Sequence, residues 1–286
     1  MTFQDFENYI TSLKNYPNLD YGIVGYSTFG TPIIYAHYGE YDYNQIIIEG
    51  SIHAREYLSG LLVVELAKYI ADTNPTVTGG IYFIPNVNPD GVRLVLDGVE
   101  GLCPKLQEVL LTINDSNVDF SQWKANGLGV DLNVNFDAWW GGGSQNVFCV
   151  APGNFVGYYP NSEREVKALI NFTKIVNPAL TISYHTKGEV IYYGFEVLNE
   201  ESINRDYQIG LELSNVTGYE LVRTIASTGG YSDWVSQHLQ VPAYTIEVGN
   251  ANLPHPLGIE NLELVLEQNK DVPLTALNAI NQYLMV

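Results

Sequence analysis

The sequence predicts an α/β fold: one domain, residues 1–286, with a mixed, mainly parallel central sheet of about eight strands flanked by helices. Two observations predict it. After an opening pair of strand-like runs, short β-rich segments alternate with segments of helical period. Three of those strand-like segments also run into residues that bind metals or move protons, as strand ends do in open α/β sheets. No repeat, low-complexity stretch or linker breaks the pattern, so a single domain is expected.

Asp5 to Leu13 places Phe6, Ile10 and Leu13 at helical spacing, which predicts a surface helix. Tyr21–Tyr26 and Pro32–Tyr38 alternate around Phe29-Gly30 and read as a hairpin. Ile46–Ile48 is a strand, Ser59–Ala71 a helix apolar on most sides and hence buried, and Gly80–Pro85 a short buried strand. The turn residues Asn86 to Gly91 follow. Residues 92 to 160 show little periodicity and are rich in Gly, Asn, Asp and Trp, so they read as a long irregular region carrying function. Ser162–Ile175 is a helix capped at Asn161 or Ser162, with Glu163 and Glu165 in its first turn. Strands at Leu180–Tyr184 and Val190–Tyr193 come next, then a helix from Glu200 to Gly218. A short helix over Ser232–Gln240, a strand over Ala243–Val248 and one closing helix from Asn261 to Tyr283 complete the chain.

Composition narrows the function classes. The chain carries 13 basic and 32 acidic residues, a net charge of −19. Such a surface repels phosphate backbones and anionic bilayers, so neither nucleic acid nor membrane is an expected partner. Met1–Glu7 lacks a basic n-region, and no apolar run approaches the ~20 residues that span a bilayer. The chain reads as cytoplasmic. Cys103 and Cys149 make neither a disulfide framework nor a metal motif; spacing leaves open whether they pair.

The chemistry gathers on Gly50-Ser51-Ile52-His53-Ala54-Arg55-Glu56-Tyr57, where a strand gives way to a helix. His53 and Glu56 are three residues apart, so an imidazole nitrogen and a carboxylate oxygen can converge on one point. A later strand ends at His185, and another carries Glu247 near its end. Two imidazoles and one carboxylate suit a catalytic zinc site that keeps its fourth position for water. A second carboxylate beside that water serves as general base. Spacing alone leaves Glu56 and Glu247 both open as the ligand, and nearness to His53 favours Glu56. His37, His238 and His255 have no ligating neighbour at useful spacing and read as structural or exposed.

With Pro85-Asn86-Val87-Asn88-Pro89-Asp90-Gly91, Trp123-Lys124, Gly129 to Phe136, Pro160 to Glu163, Ser183-Tyr184-His185 and Thr245 to Gly249, the chain resembles the zinc carboxypeptidase family of the carboxypeptidase A/B type. The resemblance implies that family's fold, one Zn²⁺ per chain held by His53, Glu56 and His185, and Glu247 as the base. It implies that Asp131 orients the first ligand histidine and that Lys124 stands where the family's arginine polarises the scissile carbonyl, as a point charge rather than a fork. Arg55 and Asn133 match substrate-positioning residues. Two positions depart from the pattern. Val134 replaces the arginine that clamps a terminal carboxylate, and Ile225 replaces the tyrosine that covers the substrate. Ser232 falls in the side-chain pocket and implies a polar preference.

Within the family, Trp123 to Asn126, Asp131 to Asn133 and His185 to Tyr192 look most like the bacterial γ-D-glutamyl-L-diamino acid peptidases. The expected substrate is then a short murein-derived peptide cut between D-glutamate and diaminopimelate, with Lys187, Arg93 or Arg223 binding the carboxylates of diaminopimelate. Two alternatives stand beside this reading: a metallocarboxypeptidase of ordinary C-terminal specificity, and a family member that binds peptide without turnover.

Overall fold

The computed structural model describes residues 1–284. Its centre is an eight-stranded sheet in the order β1-β2-β4-β3-β5-β8-β6-β7. The strands are β1 (Asp20–Tyr26), β2 (Pro32–Gly39), β3 (Gln45–Glu49), β4 (Gly80–Ile84), β5 (Leu180–Thr186), β6 (Val190–Tyr193), β7 (Glu220–Arg223) and β8 (Ala243–Val248). The inner strands β4-β3-β5-β8 run parallel. Antiparallel pairs flank them at β1–β2, β2–β4 and β8–β6, and β6–β7 is again parallel. The sheet is therefore mixed rather than mainly parallel, because the opening hairpin and the reversal into β6 each turn the chain back.

The helices are α1 (Phe3–Thr11), α2 (Tyr57–Thr73), α3 (Pro89–Asp97), α4 (Pro104–Ile113), α5 (Arg164–Val176), α6 (Glu200–Thr217), α7 (Tyr231–His238), α8 (Leu262–Asn269) and α9 (Val272–Leu284). Thr2 and Asp5 close a capping box on α1, as S/T-x-x-D/E patterns do. The all-round apolar surface of α2 lies in the core: Leu61, Leu62, Val63 and Leu66 are fully buried on one sheet face with Ile46, Ile48 and Ile182. The other face packs Ile47 and Ile84 against α5 and α7 through Leu169, Tyr231 and Trp234. Among the described residues no helix is long and apolar enough to cross a membrane.

Four elements differ from the sequence reading. The Asn88-Pro89-Asp90-Gly91 stretch is not merely a turn but the start of α3: the Asn88 side chain accepts from Gly91 N at 3.1 Å, with Pro89 at the first helical position. Proline there loses no intrahelical bond and favours a helix start. Pro104 starts α4 in the same way, so residues 92–160 are only partly irregular. The closing helix is two helices, with Pro273 at the second position of α9, where its missing N–H is tolerated. β7 is a four-residue edge strand too short and mixed to signal itself.

Glu165 on α5 is fully buried and accepts from Thr28 N at 2.8 Å. Burial pushes its carboxyl up from 4.5 to about 7. The folded chain then holds a proton that the unfolded chain has released, so stability falls as pH rises through that window. Glu7 is raised to about 7 by burial too and acts in the same direction. We expect a higher Tm near pH 5 than near pH 8, with Glu165→Gln removing about 2–4 °C of the difference, the effect of about 1 kcal/mol in a domain of this size. A flat Tm across that range by calorimetry would contradict the burial argument.

Candidate active site

The carboxyl ends of β3, β5 and β8 lie side by side at the middle of the sheet, and each delivers part of one site. β3 passes through Gly50 into a 3₁₀ turn, Ala54–Glu56, with His53 at its start. This turn is fixed from several sides. Ser59 Oγ accepts from Ser51 N at 2.8 Å and donates to the Glu56 carbonyl at 2.7 Å. Asn88 Nδ2 donates to the Ile52 and Ala125 carbonyls, and Ala54 N donates to the Lys124 carbonyl. The asparagine turn thus holds the His53–Glu56 segment against the Trp123-Lys124 segment.

Glu56 stands between two imidazoles. Its Oε1 lies 3.0 Å from His53 Nδ1 and its Oε2 3.0 Å from His185 Nδ1. The two Nδ1 atoms are 3.2 Å apart. Thr186 N donates to Glu56 Oε2 at 3.2 Å. One ligand atom from each of His53, Glu56 and His185 lies within 4.8 Å of the others, so these three residues can hold a metal ion. Facing imidazole nitrogens with a carboxylate between them gain when a cation joins them, and the N₂O donor set is one that zinc takes. Burial works against the Glu56 charge, and the two imidazoles overcome it, holding its carboxyl well below the ordinary range.

The remote nitrogen of His53, Nε2, lies 3.4 Å from Asp131 Oδ1. Asp131 is fully buried, accepts from Asn133 N and Asn154 N, and faces Lys124 Nζ at 3.2 Å. Burial opposes its charge, but Lys124 and His53 outweigh that and hold its carboxyl far below the usual range. Glu247 lies beside His185 in the β5–β8 ladder. Its Oε2 is buried without a hydrogen-bond partner, and burial pushes its carboxyl up to about 7 against the pull of His185. An ionisable group poised near neutrality, with a free lone pair beside a metal site, suits proton transfer.

A cavity of about 250 Å³ opens next to this centre, lined by Asn133, Tyr192, Ile225, Ser232, Asp233 and Thr245, among others. Asn133 belongs to both places: its Oδ1 accepts from Tyr231 N at 3.0 Å and its Nδ2 is 3.5 Å from His185 Nε2. Ile225 is 79% exposed on the cavity rim. Val134 turns its backbone to Gly229, where an added Cβ would sit 2.7 Å from the Val134 carbonyl oxygen; that contact and a φ of +76° require glycine. Among the described residues no lysine or arginine lines the cavity.

The remaining sequence-predicted residues fall as follows. Arg55 is half-buried next to the metal ligands, and its Nε is buried with no partner. Lys124 is on Asp131 and, at 3.4 Å, on Asn154 Oδ1. Lys187 donates to the Ala251 carbonyl. Arg93 lies against the Gly101 turn, and Arg223 lines another cavity with Tyr193 and Tyr207. Cys103 and Cys149 are both exposed and free. Sequence reasoning missed Glu49, Asp233 and Thr245. Glu49 carried a signal: an acid directly after three isoleucines, on a strand expected to be buried.

A central mixed sheet with a His/Glu/His centre at the carboxyl ends of its parallel strands defines a metallopeptidase-type site. The zinc carboxypeptidase family matches residues 6–270, and the chain belongs to it. It is 32% identical over 256 residues to the γ-D-glutamyl-L-diamino acid endopeptidase 1 of Lysinibacillus sphaericus; the match covers 85% of this chain and 63% of that relative's length. Among solved structures, bovine thrombin-activatable fibrinolysis inhibitor superposes with a TM-score of 0.79 at 17% identity, covering 99% of this chain and 98% of that one. Murein-tripeptide amidase MpaA from Escherichia coli O157 gives 0.56 at 22% identity, over 90% and 91% of the two chains. The solved structures bear out the expected fold, and the chain spans under two thirds of the length of the Lysinibacillus relative.

Proposed function

We propose that the protein hydrolyses the amide bond between γ-D-glutamate and a diamino acid, diaminopimelate above all, in short murein-derived peptides, and that it does so in the cytoplasm. One observation carries this reading. The hydrolytic centre is complete in kind, while Val134 and Ile225 remove the clamp and cover that fit a free C-terminus. The name of the Lysinibacillus relative, a γ-D-glutamyl-L-diamino acid endopeptidase, supports the same direction, and that relative is longer than this chain.

In this reading His53, Glu56 and His185 hold zinc, which lowers the pKa of a water and polarises a carbonyl when bound. Glu247 takes the proton of the attacking water and later hands it to the leaving nitrogen. Asp131 fixes the ring of His53 through Nε2. Lys124 places a positive charge on the same side, where it supports the oxyanion. Arg55, with its Nε unpaired, and Asn133 position the substrate's carboxylate and amide groups. Ser232 lines the pocket for the leaving residue's side chain. Lys187, two residues past His185, offers its ammonium to a substrate carboxylate in exchange for the Ala251 carbonyl.

The test is hydrolysis by purified, zinc-loaded protein of L-Ala-γ-D-Glu-diaminopimelate beside α-linked C-terminal peptides. Release of diaminopimelate is expected. Cleavage of the α-linked peptides alone would replace the substrate with ordinary C-terminal residues, and zinc-loaded protein that binds without turnover would make it a binding protein.

A further inference from the structure

In-register neighbours on adjacent strands point to the same face of a sheet. Glu49 on β3 is paired with Ser183 on β5, Ser183 with Thr245 on β8, and Thr245 with Tyr192 on β6. These four side chains therefore form one polar row on the face that α7 covers. The row is open at one end, where Thr245 and Tyr192 line the 250 Å³ cavity, and closed at the other, where Glu49 is completely buried. Ser232, from α7, bridges the middle: its hydroxyl lies 3.3 Å from Ser183 Oγ and 3.1 Å from Thr245 Oγ1.

Among the described residues neither oxygen of Glu49 has a partner at full hydrogen-bond geometry, and the one hydroxyl near enough to act on its charge is that of Ser183. A buried, unpaired carboxyl is costly, so its persistence under a substrate cavity calls for a role. Burial pushes this carboxyl up to about 7, with His185 and the Ser183 hydroxyl pulling the other way. An anionic Glu49 also sets the direction of the row. Hydroxyl protons of Ser183, Ser232 and Thr245 turn towards it in sequence, which leaves acceptor lone pairs facing the cavity.

We infer that Glu49 makes this cavity selective for a side chain ending in an ammonium group, acting from beneath the floor through the Ser183, Ser232 and Thr245 hydroxyls. It is a positioning residue for specificity, not a catalytic one. The inference deepens the diamino acid reading given above by naming what recognises the second amino group. The absence of any lysine or arginine in the lining, noted above, fits it.

The experiment compares γ-D-Glu-L-lysine with γ-D-Glu-L-norleucine, which share a carbon chain and differ by an amino group against a hydrogen on its terminal carbon. Native protein should show a kcat/KM at least about tenfold higher for lysine, equivalent to 1.4 kcal/mol. Glu49→Gln should bring that ratio towards one, mainly by raising KM for the lysine substrate. Equal turnover of the two by native protein, a ratio unchanged in Glu49→Gln, or an equal fall in kcat for both would overturn the inference. If the variant fails to fold, free L-lysine and L-norleucine are compared as competitive inhibitors of native protein: lysine must bind at least about tenfold tighter. The same side-chain pair is also presented on α-linked benzoyl-glycyl substrates. Lysine preference there with no γ-linked cleavage would sink the substrate reading and keep the pocket inference. Cleavage of γ-linked substrates without lysine preference would do the reverse.

Discussion

Replacing Glu247 by glutamine should lower kcat by about 10³-fold or more while zinc content and KM change little. Glutamine keeps the size and can accept a hydrogen bond, but it cannot take a proton at neutral pH. General acid–base groups contribute about 10²–10⁴-fold, and Glu247 is asked to act twice, on water and on the leaving nitrogen. A 10³-fold loss corresponds to about 4 kcal/mol of transition-state stabilisation. The geometry makes the separation clean. Glu247 sits beside His185 in the ladder, yet it is not one of the three side chains whose ligand atoms converge. Its raised carboxyl also gives a pH signature. A base must be ionised, so kcat/KM should fall as pH drops below about 7. Zinc beside it favours the anion and moves that limb to lower pH. Steady-state rates for the two proteins, with metal content measured on the same samples, decide the matter. Retained turnover in the glutamine variant would remove Glu247 from the base role.

How much of this could be read in the chain follows from where the signals are local. His53 and Glu56 share one turn, so their spacing is a direct record of geometry. His185 and Glu247 are legible because β5 and β8 are short apolar runs whose ends are unambiguous. Their adjacency is not local: it depends on β3, β5 and β8 being neighbours in the sheet, which the resemblance supplied and periodicity did not. The helices α3 and α4 were hidden because proline and glycine at a helix start look like a turn when read one residue at a time. The site suffered a related loss. Glu49 stands out as an acid after three isoleucines, but its meaning appears only when register places it in line with Ser183 and Thr245. The departures at Val134 and Ile225 were visible in the sequence as absences, but what stands in their place is a cavity assembled from β6, α7 and β8. No single stretch of chain encodes that cavity.

The second large effect concerns the metal ligands, where the arrangement predicts a graded series rather than one loss. Glu56 satisfies both imidazoles and one backbone N–H, so Glu56→Ala removes a donor atom and also strands buried polar groups. His185→Ala removes a donor from the most enclosed corner of the site; its imidazole is 2% exposed. Either change should reduce zinc bound after dialysis to a small fraction of the native level and abolish measurable turnover, since a site left with two protein ligands holds zinc poorly. Asp131→Asn should be milder. It leaves all three donors in place and weakens the contact to His53 Nε2 together with the ion pair to Lys124; loss of such an orienting carboxylate costs about 10–100-fold in metal affinity. Activity of Asp131→Asn should therefore return when zinc is raised, whereas Glu56→Ala and His185→Ala should stay inactive. Native protein should also gain thermal stability with added zinc, because a ligand that binds only the folded chain shifts the folding equilibrium. Metal analysis across a zinc titration, read beside Tm, separates these cases. Full zinc binding by His185→Ala would show that the ion is held elsewhere. Equal losses for Asp131→Asn and His185→Ala would make Asp131 as indispensable as a ligand and end the distinction drawn here between holding the metal and orienting what holds it.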